Sequence, residues 1–172
     1  MNIITNKIIV KKNHAVIQVY KNGIKTNDNT IISIEDVELC MMYNWYLNGK
    51  YFRARINNKH VCLHRFIMSY SIINKGLIVD HIDRNRLNNK RSNLRIVTPS
   101  QSSMNRNKGT NNKSGYKGVH WYKTRKKWVA SIYINKRNKS LGRFDNIIDA
   151  AKAYNEAAKK LHKEYAVLNT YL

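Results

Sequence analysis

The sequence predicts an α+β protein of two small modules, the second a three-stranded antiparallel sheet packed on one helix. Three observations lead there. Short β-branched runs recur, two of them closed by Asn-Gly (Asn22-Gly23 and Asn48-Gly49). Near the C-terminal end Ile147, Ala151, Tyr154, Ala158 and Leu161 follow one another at steps of four and three, the spacing of one helix face. Between these regions Lys108 to Ser114 holds no apolar residue and reads as a linker. A length of 172 residues suits one domain or two small ones, and a hydrophobic content of 42% excludes wholesale disorder.

Taken in order, residues 1–60 form a β-rich segment. Ala15-Val16-Ile17-Gln18-Val19-Tyr20 is a strand that leads into the turn at Asn22-Gly23. Ser33-Ile34-Glu35-Asp36-Val37-Glu38-Leu39-Cys40 carries a helix start: a serine cap, early acids, then apolar residues. Trp45 to Ala54 is strand, Asn-Gly turn, strand, and Asn57-Asn58 turns into the strand Val61-Cys62-Leu63-His64.

The middle module spans 61–107. A short helix is expected from Arg65 to Ser71, then the apolar run Leu77-Ile78-Val79 ending in Asp80-His81. A loop rich in Asn and Arg follows, then the strand Asn93-Leu94-Arg95-Ile96-Val97-Thr98 and a helix near 100–107 opened by Pro99. After the linker at 108–114, the module 115–172 holds three strands separated by Lys/Arg turns. Its helix is capped by Asn146 with Asp149 three residues on.

Charge narrows the partner. Lys and Arg number 32 against 10 Asp and Glu, a formal charge of +22. From Arg84 to Phe144 there are 17 basic residues and no acid. A one-sign stretch of that length repels itself unless it is extended or lies on an anion, so a nucleic-acid partner is expected, and an acidic small-molecule enzyme or an acidic scaffold is not. The two cysteines, Cys40 and Cys62, cannot build a disulfide framework or a four-ligand zinc site, and read as reduced thiols of an intracellular protein. No apolar run approaches the roughly 18 residues of a membrane span, so no membrane partner is expected. The N-terminus is too polar for a secretory signal. A monomer is the expectation for the assembly.

Asp80-His81 carries the chemistry. At a strand end the carboxylate can hold a divalent cation through oxygen, and the imidazole can take a proton from water near neutral pH. Phosphodiester hydrolysis needs both. His64-Arg65, Val79-Asp80-His81-Ile82-Asp83 and Leu87-Asn88-Asn89-Lys90-Arg91-Ser92-Asn93-Leu94-Arg95-Ile96-Val97-Thr98 together resemble the HNH homing endonucleases of phages and large DNA viruses. The resemblance implies a ββα-metal nuclease module. It implies His81 as the general base, Asp80 as ligand of a divalent ion, usually Mg²⁺, and Asn93 as the middle Asn that braces the loop and helps orient the histidine. His64 reads as structural or as a phosphate contact.

The helix departs from the family pattern. Where a ligand Asn or His usually stands, the run Ser100-Gln101-Ser102-Ser103-Met104-Asn105-Arg106 has Ser102, with Asn105 matching a later Asn. Asn105 supplies the ligand oxygen, or Ser102 does so weakly or through water, or metal affinity is lost.

A second resemblance covers about 114–169. Ser114-Gly115-Tyr116-Lys117-Gly118-Val119-His120-Trp121, Lys127-Trp128-Val129-Ala130, Leu141-Gly142-Arg143-Phe144 and Ala150 to Ala158 look like the APETALA/ethylene-response-factor DNA-binding domain. It implies a sheet that enters the major groove. Arg and Lys there read bases and anchor phosphates. Trp128 is expected to lie partly in the core, with His120 or Trp121 nearer DNA. The candidate contacts to double-stranded DNA are Arg84, Arg86, Arg91, Arg95, Arg106, Lys117, Trp121, Arg125, Lys127, Arg137, Lys139 and Arg143. The resulting expectation is a metal-dependent DNA endonuclease directed by its C-terminal module. The alternative is a site-specific DNA-binding or regulatory protein with an inactive HNH site.

Overall fold

Asn-Gly and Asn-Asn pairs, with their tolerance of positive φ, lay out the strands. The computed structural model describes residues 4–68 and 76–171. Asn22 (φ 51°) and Gly23 (φ 78°) turn β2 (Ala15–Lys21) into β3 (Ile24–Ile32), with Lys21 paired to Ile24. Asn57 (47°) and Asn58 (61°) do the same between β5 (Tyr51–Ile56) and β6 (Lys59–Cys62). β1 (Ile4–Val10) pairs antiparallel with β2.

The chain divides into two units, Met1–Pro99 and Ser100–Leu172. In the first, the order of the main sheet is β1-β2-β3-β8, and β8 is only Asn88–Asn89, pairing parallel with Ile31 and Ile32. A second sheet runs β4 (Tyr46–Asn48), β5, β6. A third is the pair β7 (Ile78–His81) and β9 (Leu94–Val97). Two one-turn helices, α1 (Val37–Met41) and α2 (Leu63–Ile67), add Cys40, Leu63 and Ile67 to the core. The expected helix at 65–71 thus begins two residues earlier, and its part beyond residue 68 lies outside the described residues. One core joins Ile17, Ile32, Trp45, Phe52, Leu63, Ile67, Val79 and Leu94. Residues 1–60 therefore share their core with the strands of the nuclease motif.

Ser33 does not cap the short helix that follows it. Its hydroxyl accepts the Arg91 backbone N–H at 2.9 Å instead. Beside it, Arg91 donates through Nε and Nη2 to the fully buried Asp36 carboxylate at 2.9 and 2.7 Å, and Glu35 adds a second acid at 3.3 Å. Burial pushes the Asp36 carboxyl up, against the bonds from Arg91 that lower it.

The second unit holds all of α3 (Pro99–Met104) but its first residue, followed by the sheet β10 (Val119–Tyr122), β11 (Lys127–Ile134), β12 (Arg137–Phe144) and the helix α4 (Ile147–His162). Asn146 caps α4 by accepting the Ile148 N–H at 2.7 Å. Ala151, Tyr154 and Ala158, one apolar face in the sequence, are buried on the sheet with Val119, Ala130 and Ile132. Asn112 and Ser114, expected in the linker, bond to the carbonyls of Tyr116 and Val119 and so shape the turn into β10.

Gly118 (φ 75°) lets β10 approach α4. A Cβ there would overlap the buried Tyr154 ring and come within 2.7 Å of the Ser131 carbonyl oxygen. Gly118→Ala is expected to destabilise the protein by about 2 kcal/mol or more, because strained φ and overpacking add. Urea unfolding followed by tryptophan fluorescence measures it.

Candidate active site and nucleic-acid interface

Strand register places the chemistry. In the β7–β9 pair Asp80 faces Arg95 and His81 faces Leu94. Side chains opposite one another share a sheet face, so Asp80 and Arg95 meet. Arg95 Nη2 lies 3.2 Å from Asp80 Oδ2, with both side chains mostly buried. His81 sits on the other face and is 5% exposed. Its Nε2 is 3.0 Å from Asn89 Oδ1. Asn89 in turn donates from Nδ2 to Thr30 Oγ1 at 2.7 Å. Burial pushes the His81 imidazole below its ordinary value, although Asn89, Asp83 and Asp80 all favour the cation.

The loop between the strands is braced from within. Asn93 accepts the Asp83 backbone N–H at 3.0 Å, and donates to Asp83 Oδ1 and the Asn88 carbonyl, each at 2.8 Å. Ile82 N–H reaches the Asn93 carbonyl at 2.9 Å. Asp83 also accepts from the Asn85 N–H and from Asn88 Nδ2. Burial pushes its carboxyl up, but these bonds outweigh that and hold it below the usual carboxylate range. Asn93 is the hub of the loop that follows His81.

An aromatic wall closes one side. The rings of His64 and His81 lie 5.1 Å apart, Tyr51 is 5.1 Å from His64 and 6.4 Å from His81. Arg86 donates from Nε to the Tyr51 hydroxyl at 2.9 Å, with its guanidinium 5.1 Å from the ring centre. His64 is buried. Desolvation first, then the neighbouring His81, Arg65 and Arg53, push its pKa down to about 3.

The remaining basic residues differ in their surroundings. Arg84 is exposed at positive φ, and Arg106 is exposed in the second unit. Arg91 and Arg95, read from sequence as DNA contacts, are each engaged by carboxylates within the fold. In the second unit Arg125, Arg137, Lys139 and Arg143 are exposed, with the Arg143 guanidinium 5.7 Å from the Tyr122 ring. Lys127 pairs with Asp145, and Lys117 donates to the Met104 carbonyl at 2.6 Å. The outer sheet face carries the row His120, Val129, Arg143 and the pair Tyr122, Lys127. Trp121 lies in register with Trp128 and Phe144, on the face that α4 covers, with its ring 5.0 Å from Trp128. Strand alternation therefore puts Trp121 at the margin of the core, while His120 takes the outer face. Ser102 lies on α3 and the buried Asn105 one residue beyond it, both in the second unit.

Sequence reasoning did not single out Asn89, Thr30 or Tyr51. Asn89 was one of many Asn in the loop. Thr30 and Tyr51 reach the site from 59 residues before Asn89 and 35 before Arg86, separations that leave no local pattern.

A buried imidazole at a strand end, an adjacent carboxylate and an Asn-braced loop define a ββ nuclease motif. Residues 61–104 match the HNH endonuclease family, and residues 114–164 match the AP2 domain. An uncharacterized HNH endonuclease, L560, of Acanthamoeba polyphaga mimivirus is 33% identical over 143 residues, covering 80% of this chain and 73% of that protein. Protein 3.8 of Escherichia phage T7 is 33% identical over 94 residues, 55% of this chain and 77% of its own length. A putative HNH homing endonuclease, YosQ, from the SPbeta prophage of Bacillus subtilis is 39% identical over 56 residues, about a third of each chain. No solved structure matches. The chain belongs to the HNH endonuclease family and carries an AP2 domain. Such nucleases generally use a divalent metal ion. Among the described residues no group of three His, Cys, Asp or Glu side chains forms a metal site, and no helix is long and apolar enough to cross a membrane.

His64 sets an acid limit on stability. Below pH 6.5 the unfolded chain binds a proton that folded His64 refuses until about pH 3, so stability falls as pH drops through that window and is fully present above it. The expected contribution is about 1.4 kcal/mol per pH unit below 6.5. His64→Phe, which keeps a ring and cannot be protonated, should show a shallower loss between pH 6.5 and 4.5 in thermal melts.

Proposed function

We propose that this protein is a DNA endonuclease in which His81 acts as general base and the AP2 sheet holds the duplex. The observation that carries the reading is the buried His81, anchored by Asn89 and followed in the chain by an Asn-braced loop. His81 removes a proton from water as the water oxygen bonds to phosphorus. The bond from phosphorus to the leaving oxygen breaks, and that oxygen is protonated from solvent. Arg84 and Arg86 flank the site from the loop and are suited to the phosphate oxygens.

The donor chemistry fits a hard cation. Asp80 offers a carboxylate oxygen, the hard donor that a divalent cation takes, in exchange for its ion pair with Arg95. Asp80 would hold the ion, with Mg²⁺ the proposed species; Ser102 and Asn105 are proposed as further ligands on the resemblance alone. When bound, the ion stabilises charge developing on the phosphoryl and leaving oxygens.

Nicking of supercoiled plasmid tests this. The wild type is expected to convert plasmid with Mg²⁺ and to stop when EDTA is added. His81→Ala is expected to lose about 10²-fold or more of the rate. Asn105→Ala and Ser102→Ala, titrated with Mg²⁺, show which of the two raises the Mg²⁺ requirement. Full cutting by His81→Ala would remove the base from the mechanism. Binding without cutting in the wild type would favour the alternative, a DNA-binding protein with an inactive nuclease site.

Exposed Arg125, Arg137, Lys139 and Arg143, together with a net charge of +22, imply many phosphate contacts. Affinity for duplex DNA is expected to fall by about 10³-fold or more between 50 and 200 mM salt, the loss that some six phosphate contacts produce. Fluorescence anisotropy reads this out, and a flat response would contradict a phosphate-dominated interface.

A further inference from the structure

Thr30 stands at the far end of the meander, outside residues 61–104 that match the nuclease family. We propose that Thr30 is a positioning residue of the nuclease site, which fixes the orientation of Asn89 and, through it, which nitrogen of His81 carries the proton. This rests on the reading of His81 as the base and extends it.

The argument follows the direction of each hydrogen bond. The Leu87 carbonyl can only accept. It takes the Ile31 N–H at 2.8 Å and the Thr30 hydroxyl at 2.8 Å. Thr30 has one hydrogen, and it is spent there, so toward Asn89 the Thr30 oxygen can only accept. The Asn89 group 2.7 Å away is therefore the amide nitrogen. The other hydrogen of that nitrogen points to the Arg86 carbonyl at 3.3 Å. The amide oxygen is left on the side of His81, 3.0 Å from Nε2. An amide oxygen only accepts, so Nε2 carries a hydrogen, and Nδ1 is the nitrogen whose lone pair can take a proton from water.

Burial gives this relay its force. Thr30 is 0% and Asn89 1% exposed, so water cannot substitute for a missing partner. Valine has the shape of threonine but neither the donor nor the acceptor. In Thr30→Val the amide loses the shorter of the two bonds that orient it and keeps only the 3.3 Å bond to the Arg86 carbonyl. Once turned, it would present N–H to Nε2 and move the ring hydrogen to Nδ1, the nitrogen that must stay basic.

The test uses the full chain free in solution and two variants, Thr30→Val and Thr30→Ser. Long-range proton–nitrogen correlation spectra of ¹⁵N-histidine protein assign the His81 tautomer, and single-turnover cleavage with Mg²⁺ gives the rate. The wild type is expected to be protonated on Nε2. Thr30→Val is expected to gain the Nδ1-protonated form and to lose at least about tenfold of the rate, a fraction of what a positioned base contributes. Its DNA affinity stays within twofold, and Thr30→Ser restores both tautomer and rate. Wild-type protein protonated on Nδ1 overturns the proposal, whether or not Thr30→Val folds. So does Thr30→Val with unchanged tautomer and unchanged rate. If His81→Ala cleaves like wild type, the base reading fails while the tautomer result stands. If His81→Ala is inactive and Thr30→Val is indistinguishable from wild type, only the role of Thr30 fails.

Discussion

The site depends on one short parallel contact, the pairing of Asn88 and Asn89 with Ile31 and Ile32. Two residues of strand would be negligible as a sheet. They matter because they bring polar groups of the loop after His81 against the buried end of the meander, where water cannot compete. The loop thereby acquires a fixed place, and the imidazole a fixed neighbour.

This explains why the first 60 residues belong with the nuclease motif rather than beside it. Trp45, Phe52 and Leu63 pack with Val79 and Leu94, so the strand that ends in Asp80-His81 is seated on a core built largely by the segment before it. The Arg91 guanidinium ties the same loop to Asp36, a buried carboxylate that would be costly without its partner. Tyr51 and His64 arrive from β5 and α2 to wall the imidazole. Among the described residues, β5, α2 and the loop each bring a group to His81: Tyr51, His64 and Asn89.

The AP2 unit follows a simpler plan. One helix covers one sheet face through small residues, Ala150, Ala151 and Ala158, which let α4 lie close to β10 and β11. The opposite face keeps its basic and aromatic side chains. The Ala130–Ser131 irregularity in pairing with β12 shifts the register by one residue, so that Arg143 faces Val129 while Ser140 faces Ser131.

Local chemistry made much of this legible from sequence. The positive-φ turns at Asn22-Gly23 and Asn57-Asn58, the Asn146 cap and the apolar face of α4 all depend on residues within a few positions of one another, and they stand where the sequence puts them. Asp80-His81 at a strand end was legible for the same reason, whereas Asn93, which bonds Asp83, was read from the family resemblance. Three-dimensional packing decided the rest. Ser33 gave up its helix cap to an arginine 58 residues away, Arg95 found its carboxylate across a strand pair, and Trp121 turned to the core side through sheet register. Thr30 meets Asn89 only because a meander and a loop share one buried edge. Turns and caps are short-range bonds that a residue's own neighbours settle; the surroundings of a buried polar group are set by whichever distant segment excludes its water.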